Sequence, residues 1–226
     1  MKSNNRILKI TCDGGAATGK TTGAKLIAKK YKLAFLSSGL LYRYASYLIL
    51  KYNPKNNYIF LKKKFKNLDY KKLNKIRLHT SEISEQSAVI AKNIKIRNIM
   101  KSFQRNFIKN NKGCVLEGRD ASTKILPSSD VKFFFICDLN IAAQRRYKEL
   151  KKLNPKINLI SVKKALKLRN FLDKKRKHSP LRKHKNAVVV NSGKLNKQAM
   201  VAKMIKKVES VLRNKYGKWT SSKKHK

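Results

Sequence analysis

The sequence predicts an α/β protein with a doubly wound, five-stranded parallel sheet flanked by helices, and three observations predict it. A glycine-rich loop separates an apolar run from a helical pattern near the start of the chain. Apolar runs of strand length recur further along, and helical periodicity returns between them. Strands that alternate with helices indicate parallel βαβ units. In such a sheet, ligands bind beyond the carboxyl ends of the strands, so a site is expected in the loops that follow them.

The first four elements follow from local patterns. Residues 7–13 alternate apolar and polar side chains, as a core strand does, and residues 22–30 have the apolar spacing of a helix. A short apolar run at 33–36 predicts the second strand, and residues 40–50 predict the second helix. Residues 51–80 are rich in Lys and Asn without clean periodicity, so we interpret them as a small mobile insertion.

The remaining elements alternate in the same way. The further predicted helices lie at 81–93, 95–110, 140–152, 161–177 and 196–216. The further predicted strands lie at 114–117, 131–137 and 187–191, and the run Val-Lys-Phe-Phe-Phe-Ile-Cys is the strongest strand pattern in the chain. We therefore expect a single domain at 1–216 and a disordered basic tail at 217–226.

The glycine-rich loop carries the most specific motif. Residues 14–21 match G-x-x-x-x-G-K-[ST] without a mismatch, between a predicted strand and a predicted helix, which is the context that the motif requires. Its glycines let backbone N–H groups face a polyphosphate, and the helix N-terminus adds partial positive charge. The loop predicts binding of a nucleoside triphosphate, with Lys20 at the β and γ phosphates and the Thr21 hydroxyl at Mg²⁺. The predicted binding residues are Gly14, Gly15, Ala16, Ala17, Thr18, Gly19, Lys20, Thr21 and Thr22.

Charge is the outlier of the composition. Lys and Arg number 57 against 11 Asp and Glu in 226 residues, a formal net charge of +46. A nucleic-acid-binding surface would explain this excess. However, the lysines are spread over the whole chain, and aromatic residues are not interleaved with them as stacking on bases would require. We therefore interpret the excess of basic residues as a general property of the whole chain rather than as a binding surface, and we expect no specific nucleic acid partner.

Three features bear on cellular location. No stretch is long and apolar enough to cross a bilayer, and the polar residues 1–6 do not form a signal peptide. Cys12, Cys114 and Cys137 all fall in predicted strands, so we expect buried free thiols rather than a disulfide or metal framework. These features predict a cytoplasmic protein without a membrane partner.

Arginines near the predicted loops are the candidates for catalysis, because phosphoryl transfer needs positive charge around the moving group. Arg119 lies just past a strand end in a glycine-containing loop, and Arg145 and Arg146 follow the strongest strand. The full set of candidates is Arg43, Arg119, Arg145, Arg146, Arg169 and Arg176.

Two acidic residues have a candidate role in the site. Asp173 shares a helix face with Arg169 and Arg176 and is isolated among basic residues, so it either pairs with them, accepts hydrogen bonds from a sugar hydroxyl, or does both. Glu117 ends a strand beside the glycine loop, where a carboxylate can hold Mg²⁺ through water. The four histidines have no metal-ligand spacing, and we interpret them as surface residues.

Five motifs in order resemble the bacterial cytidylate kinase family of nucleoside monophosphate kinases. Residues 13–22 are similar to its D-G-P-[AS]-[AG]-x-G-K-[GS]-T, and residues 38–43 to its S-G-x-x-Y-R. Residues 118–131 are similar to its G-R-D-x-G-T segment, residues 145–150 to its R-R-[YM]-x-[EQ]-L, and residues 169–181 to its R-x-x-x-D-x-x-R-x-x-x-P-L. The resemblance covers about Ile7 to Val208.

The resemblance implies a P-loop kinase that uses ATP and Mg²⁺ to phosphorylate CMP and dCMP, and we expect it to act as a monomer. It implies that Ser38, Arg169 and Asp173 contact the ribose, and that Arg43 and Arg119 hold the acceptor phosphate. It places Arg97, Asp120 and Arg176 at the cytosine. The catalytic residues would be Lys20, Arg119, Arg145 and Arg146, and the metal ligands Thr21 and Glu117. It also implies an acceptor-binding insertion at 51–93 and a lid at 145–177.

Some positions depart from the family pattern. Gly15 stands where the family has proline, Glu117 where it has Asp, and Leu172 where a lid arginine is common. A serine that reads the base in the family falls at Ser87 or Ala88. Two alternatives therefore stay open: a kinase for another small acceptor such as UMP, and a basic nucleotide-binding protein that acts on nucleic acid.

Overall fold

The core of the protein is a five-stranded parallel sheet, as predicted. A computed structural model describes residues 7–217 of the chain. The strands are β1 (Lys9–Gly14), β2 (Ala34–Ser37), β3 (Cys114–Gly118), β4 (Val131–Ile136) and β5 (Val188–Asn191). They are ordered β2-β3-β1-β4-β5, and every pair is parallel. The predicted tail at 217–226 lies outside the described residues except for Gly217.

Helices cover both faces of the sheet. They are α1 (Lys20–Lys30), α2 (Ser38–Tyr52), α3 (Asn57–Lys66), α4 (Ser81–Ile90), α5 (Ile94–Asn110), α6 (Leu139–Lys151), α7 (Leu159–Lys175) and α8 (Lys197–Tyr216). On one face, α1 and α8 pack through residues such as Ile27 and Met204 onto Ile10 and Phe133 of the strands. On the other face, α2 and α5 form a second core with Leu116. Because helices cover both faces, five of the six residues of the central strand β1 are buried, including polar ones.

Helices α1 and α2 each begin two residues earlier than their apolar pattern predicts, and the residues before them act as caps. Gly19 precedes α1 in a left-handed conformation with φ of 73°, which glycine adopts without steric cost. The Ser37 hydroxyl accepts a hydrogen bond from the Leu40 N–H at 3.3 Å and caps α2. Both caps follow strand ends, so each helix starts at the edge of the sheet where ligands bind.

The stretch at 51–80 differs from the mobile insertion that we predicted. It contains α3 and a short 3₁₀ turn, Tyr70–Lys75, both packed on the core around α2 and α5. Leu61, Phe65 and Leu73 are buried there. The helical spacing of Leu61 and Phe65 is hard to see in the sequence, because three lysines separate them and the apolar run before Leu61 includes the exposed Ile59. These few apolar side chains are enough to fix the stretch against the core.

One cysteine prediction is wrong. Cys12 and Cys114 are buried in strands, but Cys137 lies just after β4 and is only half-buried, with the Arg145 Nη1 atom 3.8 Å from its sulfur. Strand β4 ends one residue sooner than the apolar run does.

Among the helices within residues 7–217, none combines the length and the apolar character that crossing a bilayer demands.

Candidate active site

The phosphate loop joins β1 to α1 at the centre of the sheet. A Cβ atom on Gly14 would lie 2.5 Å from the Phe135 carbonyl oxygen of β4, so only glycine fits there. Gly19 then turns the chain into α1. The loop therefore presents its backbone N–H groups at a helix N-terminus, which is a favourable place for a phosphate.

The Lys20 side chain is buried in the loop. Its Nζ atom donates to the Gly15 carbonyl oxygen at 2.9 Å and lies 3.4 Å from Glu117 Oε1 at the end of β3. The other carboxylate oxygen of Glu117 accepts a hydrogen bond from the Ser37 hydroxyl. Burial alone would raise the pKa of Glu117, but Lys20, Ser37 and Arg119 outweigh burial and lower it. Glu117 is therefore an ionised carboxylate beside the phosphate loop.

The turn after β3 is fastened to β1 by Asp13. Its carboxylate accepts the backbone N–H groups of Ala121 at 2.8 Å and Ser122 at 2.7 Å, together with the Ser122 hydroxyl. Burial raises the pKa of Asp13 to about 6. The Ser122 hydroxyl thus adds a third hydrogen bond to the two from the backbone. Asp13 holds the loop that carries Arg119 and Asp120 next to the phosphate loop.

An open pocket lies beside the phosphate loop. Seven of the eight predicted CMP-binding residues line it, and Arg43 is the exception. These seven are Ser38, Arg97, Arg119, Asp120, Arg169, Asp173 and Arg176. Residues from α2, α5, α7 and the end of β3 thereby converge on one cavity, although the sequence separates them widely. Tyr42, Ser87 and Ala88 line it as well.

Buried ion pairs organise the pocket. Arg97, only 1% exposed, pairs with Asp120 at 2.5 Å. Asp173 accepts from Arg119 Nε at 2.8 Å and from Arg176 Nη1 at 3.2 Å. The ion-pair role foreseen for Asp173 is therefore present in the structure.

Three arginine nitrogens in this pocket are buried and have no hydrogen-bond partner among the described residues. These three atoms are Arg97 Nε, Arg169 Nε and Arg176 Nη2. Buried donors are normally satisfied, so each such atom calls for an acceptor. A ligand rich in oxygen and nitrogen acceptors would supply it.

Arg145 and Arg146, adjacent in the sequence, lie on opposite sides of the site. Arg145 donates to Ser192 Oγ at 3.1 Å and to the Ser192 carbonyl oxygen at 2.8 Å, and the Ser192 hydroxyl donates to the Thr18 carbonyl oxygen of the phosphate loop. Arg146 donates instead to the His79 carbonyl oxygen at 3.1 Å and to Ser84 Oγ at 3.2 Å, next to α4. Helix α6 is therefore linked through Arg145 and Ser192 to the phosphate loop, and through Arg146 to the start of α4.

Arg43 lies with Arg146 rather than in the pocket lining. Its Nη1 atom is 2.8 Å from His79 Nδ1. His79 is exposed, as we predicted for the histidines, but the sequence did not indicate that it contacts a site arginine.

The cations of the site destabilise one another. Burial, reinforced by neighbouring cations that include Arg119 in all three cases, lowers the pKa of Lys20 to about 7, of Arg43 to about 9 and of Arg169 to about 10. A bound anion would stabilise the charged forms. The site is thus a positively charged cavity suited to phosphate groups.

Helix α7 contacts both the pocket and the phosphate loop. Arg169 donates to the Ser84 carbonyl oxygen and to Ser87 Oγ, both at 3.3 Å. The next residue, Asn170, accepts a hydrogen bond from the Ala16 N–H at 3.0 Å. A Cβ atom on Gly15 would come 3.1 Å from the Asn170 side-chain oxygen, so glycine at 15 leaves room for this contact. Sequence reasoning missed Asn170, which no local motif marks.

The chain resembles known proteins over most of its length. The sequence profile of a protein family described as cytidylate kinase matches residues 10–210. A protein named cytidylate kinase from Bartonella tribocorum is 37% identical over 198 residues, which cover 85% of this chain and 90% of that protein. A second protein of the same name, from Fusobacterium nucleatum, is 33% identical over 217 residues, which cover 89% of this chain and 97% of that protein.

Solved structures share the fold at low identity. The crystal structure of an uncharacterized protein from Eubacterium ventriosum has a TM-score of 0.52 at 14% identity and covers 90% of this chain and 99% of that one. A shikimate kinase from Bacteroides thetaiotaomicron has a TM-score of 0.50 at 12% identity and covers 91% and 98%. At these identities the likeness concerns the fold alone.

Proposed function

The chain belongs to the cytidylate kinase family, and from this premise we propose that it transfers the γ-phosphoryl group of ATP to CMP or dCMP. One observation carries the proposal. An intact phosphate loop and a pocket lined by arginines and two aspartates open side by side at the carboxyl edge of the same sheet. Such proximity converts a reaction between two substrates into one within a single complex.

On the donor side, Lys20 and the loop N–H groups would bind the β and γ phosphates of ATP. Phosphoryl transfer depends on positioning and on charge stabilisation rather than on covalent chemistry by the protein. Arg119 lies between the two sides, since it pairs with Asp173 in the pocket and lowers the pKa of Lys20. We therefore assign Arg119 to the phosphoryl group in transit, with Arg145 and Arg146 closing from α6.

On the acceptor side, the pocket offers separate places for phosphate, sugar and base. Arg43 and Arg119 would hold the phosphate of CMP, and Ser38, Arg169 and Asp173 the ribose. Arg97, Asp120 and Arg176 would meet the cytosine ring. The Arg97 Nε and Arg176 Nη2 atoms donate no hydrogen bond to the described residues, although Arg176 Nη2 lies 4.0 Å from Asp120 Oδ1. They support the last assignment, because a pyrimidine base has acceptors in its plane.

The residues present fit a Mg²⁺ ion held jointly with substrate phosphates. No group of three or more His, Cys, Asp or Glu side chains within 7–217 could hold a metal by itself. Mg²⁺ at kinase sites usually takes only one or two carboxylates plus phosphate oxygens. The ionised Glu117 and the Thr21 hydroxyl would provide the protein's share, and the ion would neutralise charge that develops on the phosphates.

Action as a monomer, expected from the family resemblance, stays part of the proposal. The cytoplasmic location also stays part of the proposal. The segments 51–93 and 145–177, expected to bind the acceptor and to form a lid, provide Ser87 and Arg169 to the pocket, which supports both roles.

The reaction gives the first prediction. Purified protein with ATP and Mg²⁺ should form ADP with CMP and dCMP, more weakly with UMP, and negligibly with AMP or GMP. The measurement is ADP release together with chromatographic identification of the diphosphate product. Equal turnover of AMP, or no turnover of any pyrimidine nucleotide, would contradict the assignment. Preferential turnover of UMP would instead favour a kinase for that acceptor.

The charge gives the second prediction, which tests the nucleic-acid alternative. If the net charge of +46 is background, binding to a random RNA duplex should collapse as salt rises. For contact with about six phosphates, the fall is on the order of 1000-fold between about 50 and 200 mM salt. Fluorescence anisotropy over a salt series measures it. A nanomolar complex that persists at about 0.15 M salt would favour a nucleic-acid function.

A further inference from the structure

Gln104 of α5 contacts Ser38, one of the residues that line the acceptor pocket. The Ser38 hydroxyl donates a hydrogen bond to Gln104 Oε1 at 2.7 Å. Both residues are buried, and Gln104 is 2% exposed. Gln104 does not line the pocket itself. It therefore acts on a ligand only through Ser38.

The orientation of the Gln104 amide is fixed by a second contact. Its Nε2 atom donates to the Met100 carbonyl oxygen at 3.0 Å. A carbonyl oxygen can only accept, so the amide must turn its nitrogen to Met100 and its oxygen to Ser38. The Ser38 hydroxyl must consequently donate its single proton to Gln104.

This arrangement decides what Ser38 can offer a ligand. With its proton committed, the hydroxyl oxygen has only lone pairs left for the pocket. The space before it is open because the neighbouring position is a glycine, and a Cβ atom on Gly118 would lie 3.1 Å from Ser38 Oγ. A ligand group that meets Ser38 must then be a hydrogen-bond donor. On a nucleoside monophosphate, the donors that belong to the sugar are its hydroxyl groups.

We propose that Gln104 is a positioning residue that fixes Ser38 as a hydrogen-bond acceptor for one sugar hydroxyl of the phosphate acceptor. The inference rests on the proposed function and deepens it. It assigns to the Gln104–Ser38 pair the recognition of that hydroxyl, separately from the arginines that bind phosphate and base. Asp173, whose carboxylate already accepts from two arginines, is not needed for this contact.

The test compares Gln104→Leu with the unmodified protein on CMP, 2′-deoxy-CMP and 3′-deoxy-CMP. We expect kcat/KM for CMP to fall roughly three- to tenfold, the scale of one hydrogen bond. The loss should disappear with the one deoxy substrate that lacks the recognised hydroxyl. An equal loss with all three substrates, or no loss with CMP, would overturn the inference.

Two further variants separate positioning from folding. Gln104→Met keeps the length of the side chain and should reproduce the substrate pattern if the leucine variant folds poorly. Phe107→Leu, a buried change one turn along α5, should lower stability without altering the ratio of CMP to deoxy-CMP turnover.

In a double-mutant cycle, Gln104→Leu should add no loss to Ser38→Ala, and additive losses would contradict the proposal. If the unmodified protein fails to phosphorylate CMP, the proposed function itself fails, whatever Gln104 does.

Discussion

Replacing Lys20 with methionine is expected to lower kcat by about 100- to 1000-fold, the effect of removing one preorganised charge partner from a transition state. Lys20 is held by Gly15 and Glu117 and lies within the field of Arg119 and Arg169. Methionine fills much of the same space without the ammonium group. Steady-state kinetics with saturating ATP–Mg²⁺ and CMP measure the change.

The matched control is Lys29→Met, an exposed lysine at the end of the same helix. It should leave kcat within about twofold, because surface substitutions away from special features usually matter little. Assays are run well below the melting temperature of each variant, since loss of Lys20 also removes a partner of the buried Glu117. A Lys20→Met enzyme with near-normal kcat would show that the loop does not act in catalysis.

Changing Asp173 to asparagine should harm both folding and use of CMP. The variant keeps the shape but removes the negative charge that faces Arg119 and Arg176. Breaking a buried ion pair costs about 3–5 kcal/mol of unfolding free energy, because an uncompensated charge remains. For a domain of this size that is a fall in Tm of roughly 6–20 °C. We also expect kcat/KM for CMP to fall roughly ten- to a hundredfold, with little change in KM for ATP.

Calorimetry and kinetics on the same preparation separate the two roles of Asp173. A selective CMP defect at unchanged Tm would leave only the sugar contact, and a lower Tm with equal losses for both substrates would leave only the ion pair. Glu149→Gln is the control, since Glu149 pairs with Arg146 but its side chain is 64% exposed. Exposed pairs are typically worth about 1 kcal/mol or less. A Glu149→Gln effect as large as that of Asp173→Asn would contradict the importance given to burial.

Features set by neighbouring residues could be predicted from the sequence. The phosphate loop needs glycines at fixed spacing between a strand and a helix, and all of these determinants lie within a short segment. Helices cover both faces of the sheet, so apolar residues are concentrated in the strands and stand out even in a chain full of lysine. The shared face of Arg169, Asp173 and Arg176 likewise follows from helical spacing alone.

Contacts between distant segments could not be predicted in this way. Gln104 meets Ser38 across 66 positions, and Asn170 meets Ala16 across 154. Neither amide side chain belongs to a local motif, so its role is visible only in the folded structure. Arg97 entered the predicted site through the family resemblance and not through any local pattern. Helix α3 was missed for a different reason, because its apolar residues do not mark one face: Leu61 and Phe65 are buried, but the neighbouring Ile59 is exposed.

The central position of β1 has a consequence for synthesis of the protein. Ile10 of this strand lies between Val115 of β3 and Val131 of β4, so both neighbours are made more than 100 residues later. At about 5–20 residues per second, the nascent strand waits on the order of ten seconds for its second partner. Pairings this remote in sequence also slow folding, because a long loop must close before contacts compensate for it. The strand that leads into the phosphate loop is therefore the first of these strands to be made, but it is enclosed only after β3 and β4 have followed.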